Sequence, residues 1–185
     1  AGAQFNLGNM NYNGEGVPKD AAEAVKWYRR AADQGYFIAQ SSLGMMYRKG
    51  ERVPKDDEEA AKWWRKAADQ GDANAQYNLG IVYDNGDGVS KDAAEAVKWY
   101  RKAADQGNAK AQFNLGFMYS EGKGVPKDDI EAYAWYNLVS ISDDDARKRR
   151  DELEKSLTPE QKARAQQRST ELHKEIEARK KAAGK

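Results

Sequence analysis

Ala75-Gln76-Tyr77-Asn78-Leu79-Gly80 is one of four versions of the same phrase. It stands earlier as Ala3-Gln4-Phe5-Asn6-Leu7-Gly8 and Ala39-Gln40-Ser41-Ser42-Leu43-Gly44, and later as Ala111-Gln112-Phe113-Asn114-Leu115-Gly116, offset by 36 residues each time. Residues 19–35 and 91–107 are 17-residue stretches that differ only at Arg30 versus Lys102. A period in this range marks stacked supersecondary units, none of which buries its apolar face alone.

Each unit reads as two helices. With position 1 at Ala3, Ala39, Ala75 and Ala111, helix A covers positions 1–10. At about 100° per residue, positions 1, 5, 8 and 9 share one side. In the third repeat they are Ala75, Leu79, Val82 and Tyr83, a packing stripe. Gly8, Gly44, Gly80 and Gly116 oppose helix propensity, which implies a close helix approach. A Gly-rich loop such as Asn13-Gly14-Glu15-Gly16-Val17-Pro18 follows. Helix B then opens on Asp20, Asp56, Asp92 and Asp128, each three residues before Glu23, Glu59, Glu95 and Glu131, an Asp version of the capping box. Its inner stripe includes Ala24, Trp27, Tyr28 and Ala31, and Gly35, Gly71 and Gly107 end it as C′ residues.

The periodicity stops after a fourth helix B at residues 130–142. Thr158 as N-cap and Pro159 at N1 restart a helix. The expected organisation is four repeats in 1–142 (3–38, 39–74, 75–110 and 111–142), then C-terminal capping helices with a charged tail in 143–185. Beyond Leu172 and Ile176 the last helix is nearly all charged, and its end is expected to project into solvent.

Composition supports an extended array. Charged residues make up 33%, hydrophobic residues 39%, and mean hydropathy is −1.01, polar for a compact globule of 185 residues. Five Trp and ten Tyr argue against disorder. With 31 Lys and Arg against 30 Asp and Glu, bulk charge recruits no polyanion. Without cysteine there is no disulfide or thiolate chemistry. No apolar run has the length of a membrane span, and no signal peptide is visible. The chain opens inside a repeat without Met, which reads as a fragment whose start is missing.

The recurring phrase, followed by Tyr, Gly-x-Gly-Val-Pro-Lys-Asp, Trp-Tyr, Ala-Ala and Gln-Gly, resembles the Sel-1-like repeat (SLR), a bacterial-rich relative of the tetratricopeptide repeat. The resemblance covers residues 3–142, and the segment from Arg150 to Gln161 is similar to the tail that follows the last repeat in many bacterial members. It implies an all-α, right-handed α/α superhelix, a solenoid of four 36-residue helix pairs with a C-terminal helical cap, used as an adaptor surface. For a bacterial member it favours a periplasmic or secreted location over a cytoplasmic one.

Departures from the repeat carry information. Asn11 stands where Tyr47, Tyr83 and Tyr119 stand, which predicts a less well packed first unit. Arg52 replaces the loop glycine found at Gly16, Gly88 and Gly124, so the second loop is strained or differently folded if that site needs positive φ. Tyr36-Phe37-Ile38 replaces the polar link Asp72-Ala73-Asn74, and burial in the core is the expected outcome, an exposed contact the alternative.

Three motifs suggest chemistry and read better as structure. Ser120-Glu121-Gly122-Lys123 fits the Ser-x-x-Lys acylation pattern, and some cysteine-rich SLR proteins are linked to that chemistry, but no Ser-Asp-Asn or Lys-Thr-Gly partner is present. Asp84-Asn85-Gly86-Asp87-Gly88 has Tyr83 and Ala94 where a calcium loop needs carboxylates, so a tight turn fits better. His173 is the only histidine. No catalytic residue, metal site or cofactor is assigned. Lys26, Arg29 and Arg30, with their equivalents Lys62, Arg65, Lys66, Lys98, Arg101 and Lys102, form a basic stripe on helix B. Its late placement suits the helix dipole, and Asp33, Asp69 and Asp105 interrupt it, so nucleic acid is not an expected partner.

Helix A carries the most telling columns opposite its packing stripe. Position 3 holds Phe5, Ser41, Tyr77 and Phe113, position 7 holds Asn9, Met45, Ile81 and Phe117, and position 10 holds Tyr12, Arg48, Asp84 and Ser120. They lie within about 60° of one another on a helix. In the resemblance to tetratricopeptide arrays this is the concave, partner-facing side, although position 3 has packing between adjacent A helices as its alternative. Positions 7 and 10 vary on a frame that hardly changes, which a specific recognition surface needs. The expected function is to bind a protein or peptide in this groove, with Met45, Ile81, Phe113 and Phe117 as anchors and Asn6, Asn78 and Asn114 bonding its backbone. The alternatives are a β-lactam- or cell-wall-related hydrolase with Ser120 as nucleophile, and a structural solenoid that self-associates weakly through its uncapped first repeat. Membrane insertion is not expected.

Overall fold

The computed structural model describes residues 1–184. Every regular element among them is an α-helix: α1 (Gly2–Asn13), α2 (Ala21–Asp33), α3 (Phe37–Lys49), α4 (Asp57–Asp69), α5 (Ala73–Asn85), α6 (Ala93–Asp105), α7 (Ala109–Glu121), α8 (Asp129–Val139), α9 (Asp144–Ser156) and α10 (Pro159–Ala183). None is long and apolar enough to cross a membrane. The chain divides into two compact units, Ala1–Lys91 and Asp92–Lys185.

In the first unit α1 packs on α2, α3 lies between α2 and α4, and α5 packs on α4. The A-helix stripe is buried as its spacing predicts. Ala39, Leu43, Met46 and Tyr47 of α3, and Ala75, Leu79 and Val82 of α5, are all buried. The stripe of α1 is not, and Leu7 is 38% exposed where Leu79 is 1% exposed. Asn11 turns its amide back to the Leu7 carbonyl at 2.8 Å. The helical glycines act as spacers. A Cβ on Gly44 would stand 2.5 Å from Trp64 Nε1, and one on Gly8 would stand 2.7 Å from the Tyr28 ring.

Caps fix the ends of the B helices, with one correction. Asp20, Asp56, Asp92 and Asp128 accept from the N–H of Glu23, Glu59, Glu95 and Glu131 at 2.9–3.0 Å. The box is half-built, however, because the glutamates turn elsewhere: Glu23, Glu59 and Glu95 pair with Lys26, Lys62 and Lys98 one turn on. Thr158, at the start of α10, does make the reciprocal box, with Gln161. At the other end Gly35, Gly71 and Gly107 have positive φ. They complete Schellman pairs such as Tyr36 N to Ala31 O at 3.1 Å and Gly35 N to Ala32 O at 3.0 Å.

The second loop is strained and not refolded. Arg52 has φ 70°, against 71° and 72° at the equivalent Gly88 and Gly124. Gly88 is also where the loop presses on the backbone of Asp57 and Glu58 at the start of α4, too closely for a Cβ.

In the second unit α7 packs on α6 and α8, and α8 also receives α9 and α10. The reason lies on the outer face of α8. Where the earlier B helices carry Lys26, Lys62 and Lys98, α8 has Ala134. Where they carry Arg30, Lys66 and Lys102, it has Leu138, and Asn137 replaces Arg29, Arg65 and Arg101. That neutral face takes the stripe Ala165, Ser169, Leu172 and Ile176 of α10, all buried. Asn137 donates to Ser169 Oγ at 2.8 Å, and Arg168 reaches Glu131 at 2.5 Å. The end of α10 does not simply project. Arg179 pairs with Asp105, and the stem of Lys180 lies over Gly107.

Leu79→Ala should lower stability by about 2–5 kcal/mol, as large-to-small core changes do, while Leu7→Ala should change it by less than about 1 kcal/mol. Equal shifts of the urea midpoint would contradict the burial contrast. Arg52→Gly should raise stability by about 1 kcal/mol by relieving the positive-φ penalty. A lower midpoint would mean that Arg52 makes a compensating contact.

Candidate protein-binding surface

Ser41 aside, the residues of the A-helix face fall into three groups. The first packs on the protein itself. Phe5 stacks 5.4 Å from the Tyr28 ring and 5.4 Å from Tyr36, and Phe113 meets Tyr136 edge-on at 5.4 Å. Position 3 in these repeats thus packs on the B-helix tyrosine of its own pair, and Phe5 also reaches Tyr36 at the start of the next A helix. Tyr77 is half-buried, and burial pushes its phenol above the usual range. Phe117 is half-buried against the cluster of Ala132, Tyr136 and Val139.

The second group is held by polar bonds. Asn9 accepts from the Tyr28 hydroxyl at 2.8 Å. Arg48 reaches Asp87 at 2.7 Å and Asp57 at 3.6 Å, which ties α3 to the start of α4 and to the loop after α5. Asn85 donates to the same Asp87 at 3.0 Å. Asn85 first, and Arg48 after it, hold the Asp87 carboxyl below its ordinary pKa. Asp84 and Asn85 end α5, and residues 86–89 make the turn, so the segment is turn chemistry as its spacing predicts. Arg48 is therefore an internal clamp before it is a recognition residue. Asp84 is half-buried, with one carboxylate oxygen out of solvent. Ser120 donates its hydroxyl to the Phe117 carbonyl at 3.0 Å and lines a pocket of about 200 Å³ beside Tyr136, Arg149 and Glu152.

The third group is open. Met45 is 37% exposed, and Ile81 and Tyr12 are half-exposed. Sequence reasoning missed two neighbours of Met45. Phe37 is 40% and Ile38 38% exposed, which overturns their expected burial. Only Tyr36 of that apolar link turns inward, onto Phe5. Phe37, Ser41, Met45 and Arg48 follow one another at helical spacing along one side of α3. The signal was present, since apolar residues in a link that is polar elsewhere have two explanations. Of the asparagines read as backbone binders, Asn6 is exposed, and Asn78 and Asn114 are half-buried.

The basic stripe of helix B is largely engaged. Arg29, Arg65 and Arg101 donate to the hydroxyls of Tyr47, Tyr83 and Tyr119 in the following A helix, with the guanidinium 5.4–5.9 Å from the ring centroid. Arg30, Lys66 and Lys102 lie 4.6, 4.0 and 3.8 Å from the ring centroids of Trp27, Trp63 and Trp99.

The Sel1 repeat family model matches residues 1–36, 38–72, 73–108 and 109–138. No protein of curated function matches the sequence significantly. Among solved structures, the chain is similar to a Sel1 repeat protein from Oxalobacter formigenes, with 40% identity and a TM-score of 0.75 over 78% of this chain and 60% of that one. It is similar to c5321, a protective antigen of uropathogenic Escherichia coli strains displaying an SLR fold, with 31% identity and a TM-score of 0.64 over 98% of this chain and 47% of that one. It shares its fold with cysteine rich protein B of Helicobacter pylori, at 24% identity and a TM-score of 0.55 over 70% of this chain and 94% of that one. The chain thus spans 60% and 47% of the length of the first two. Four consecutive matches in register, on helix pairs that repeat the same caps and contacts, leave one conclusion: the chain belongs to the Sel1 repeat family.

Proposed function

We infer that this chain is a non-catalytic scaffold that binds a peptide segment of a partner protein on the open side of its A helices. Sel1 repeats serve generally in protein–protein interaction. The observation that carries the finer reading is on α3. One side of this helix, with Ala39, Leu43, Met46 and Tyr47, is buried in the core, yet the other presents Phe37 and Met45 to solvent. A surface helix normally keeps its second side polar, and apolar side chains grouped on an exposed face mark an interaction site. Phe37 and Met45 of α3 and Ile81 of α5 are the anchors in this reading, with residues 143–185 as the cap of the array.

The hydrolase reading gains no support from the geometry of Ser120. Its hydroxyl proton is committed to a carbonyl of its own helix, whereas an activated serine donates to a base.

Partners captured by pull-down and identified by mass spectrometry supply the ligand for the test. Phe37→Ser, Met45→Ser and Ile81→Ser should each weaken its binding by about 1–4 kcal/mol, the range of anchors in a desolvated contact, with an unchanged thermal melt. Lys26→Ala and Lys98→Ala, exposed and paired with a glutamate one turn away, should leave Kd nearly unchanged. Full affinity in all three serine variants would sink this assignment.

A further inference from the structure

The chain supplies its own example of a ligand for the outer face of a B helix. On α8, helix α10 lies along Ile130, Glu131, Tyr133, Asn137 and Leu138, with Ala165 on Tyr133, Arg168 on Glu131 and Ser169 on Asn137, while Leu157, which ends α9, also packs on Tyr133. Trp135, in the middle of that face, is fully buried. Two repeats earlier, 72 residues back, the equivalent positions on α4 are Glu58, Glu59, Ala61, Arg65 and Lys66. All five line an open groove of about 610 Å³, floored by Trp63, Leu79, Tyr83 and Val89 and lying within the first unit.

Two details set this groove apart from a bland crevice. The Trp99 and Trp135 indoles donate to the glutamate four residues back, at 2.9 Å to Glu95 and 3.2 Å to Glu131. The N–H of Trp63, only 6% exposed, is buried without an acceptor, while Glu59, four residues back, pairs with Lys62 at 3.1 Å. A buried donor without an acceptor is a site waiting for one. The rim is also polarised along α4, with Glu58 and Glu59 at its N-terminal end and Lys62 and Lys66 further on.

We propose that the outer groove of α4 is a second docking site, which takes an amphipathic helix of a partner protein. That helix is apolar on its buried side, basic where it crosses Glu58 and Glu59, and acidic where it crosses Lys62 and Lys66. It docks in the manner of α10 on α8, where Arg168 meets Glu131 and Ile176 lies near Leu138 further along the helix. Its basic end leads and its acidic end follows. The site shares no residue with the A-helix face and stands or falls separately from it.

The test uses the full chain and two fluorescein-labelled peptides. One is residues 158–182 as they stand. The other carries His173→Glu, which places an acid beside Leu138, the position equivalent to Lys66, and Lys180→Glu about two turns further on. The acidic peptide should bind, read by anisotropy, and should move the Trp63 indole N–H resonance, identified by its loss in Trp63→Phe. Lys62→Glu with Lys66→Glu should weaken the acidic peptide at least tenfold and reverse the preference between the two peptides. Added salt should weaken the acidic peptide on the unaltered chain. Three outcomes overturn the site: no binding, the same preference in the double variant, or an unmoved indole resonance. Two others place the peptide elsewhere and also overturn it. Loss of binding in Glu131→Lys means displacement of α10, and loss in Phe37→Ser or Met45→Ser means the A-helix face.

Discussion

The first, second and fourth helix pairs each depend on an aromatic ring laid directly on the backbone of the partner helix, at a position that has no Cβ. In the first, second and fourth pairs a Cβ at Gly8, Gly44 or Gly116 would stand 2.5–2.8 Å from Tyr28, Trp64 or Tyr136. The glycine costs about 1 kcal/mol of helix propensity relative to alanine. An aromatic side chain that buries about 150–250 Å² gains roughly 4–6 kcal/mol at about 25 cal/mol per Å². The burial term wins by several kcal/mol, which is why a poor helix former stands in the middle of these A helices. The ring also sets how far apart the helix axes lie, so every later contact inherits that spacing.

Two polar devices then join successive pairs within each unit. Buried Gln40, Gln76 and Gln112 donate to the carbonyls of Ala32, Ala68 and Ala104 at 3.0–3.1 Å, a second bond to carbonyls that already accept from the capping glycine. Arg29, Arg65 and Arg101 reach the tyrosine of the next A helix, both along its hydroxyl and over its ring. Both contacts are directional, unlike the alanine-rich seam beside them. Apolar burial holds the helices together, and these bonds allow one register.

What the sequence disclosed follows from what a one-dimensional pattern encodes. Helix boundaries, caps and the buried stripe repeat at fixed spacings, and so did the strain at Arg52, because three glycines at the same position announced the backbone conformation. The Gln and Arg contacts repeat just as strictly and were still not read. Their partners lie 8 and 18 residues away in a neighbouring helix, and spacing within one helix says nothing of that reach. The Arg column therefore passed for part of a free basic stripe. The Phe37 and Ile38 error has the opposite origin. Apolar character predicts burial on average, but these two residues begin a helix whose core side starts only at Ala39.

The fourth pair separates frame from face. Its frame is unchanged: Asp128 caps α8, Gly116 receives Tyr136, and Trp135 donates to Glu131 as Trp99 does to Glu95. On its outer side Ala134, Asn137 and Leu138 stand in place of three cations, and Ile130 and Tyr133 add apolar surface. Together these changes turn the face into a seat for a 25-residue helix. Three cations left in place would have to be stripped of water against Ala165, Leu172 and Ile176, a cost that an uncharged face does not carry. The same logic applies to α3, where Phe37 and Met45 alter one side of a helix whose core side is kept. A repeat of this kind accepts a new contact wherever a few outward positions lose their charge, because none of those positions takes part in holding the pair together.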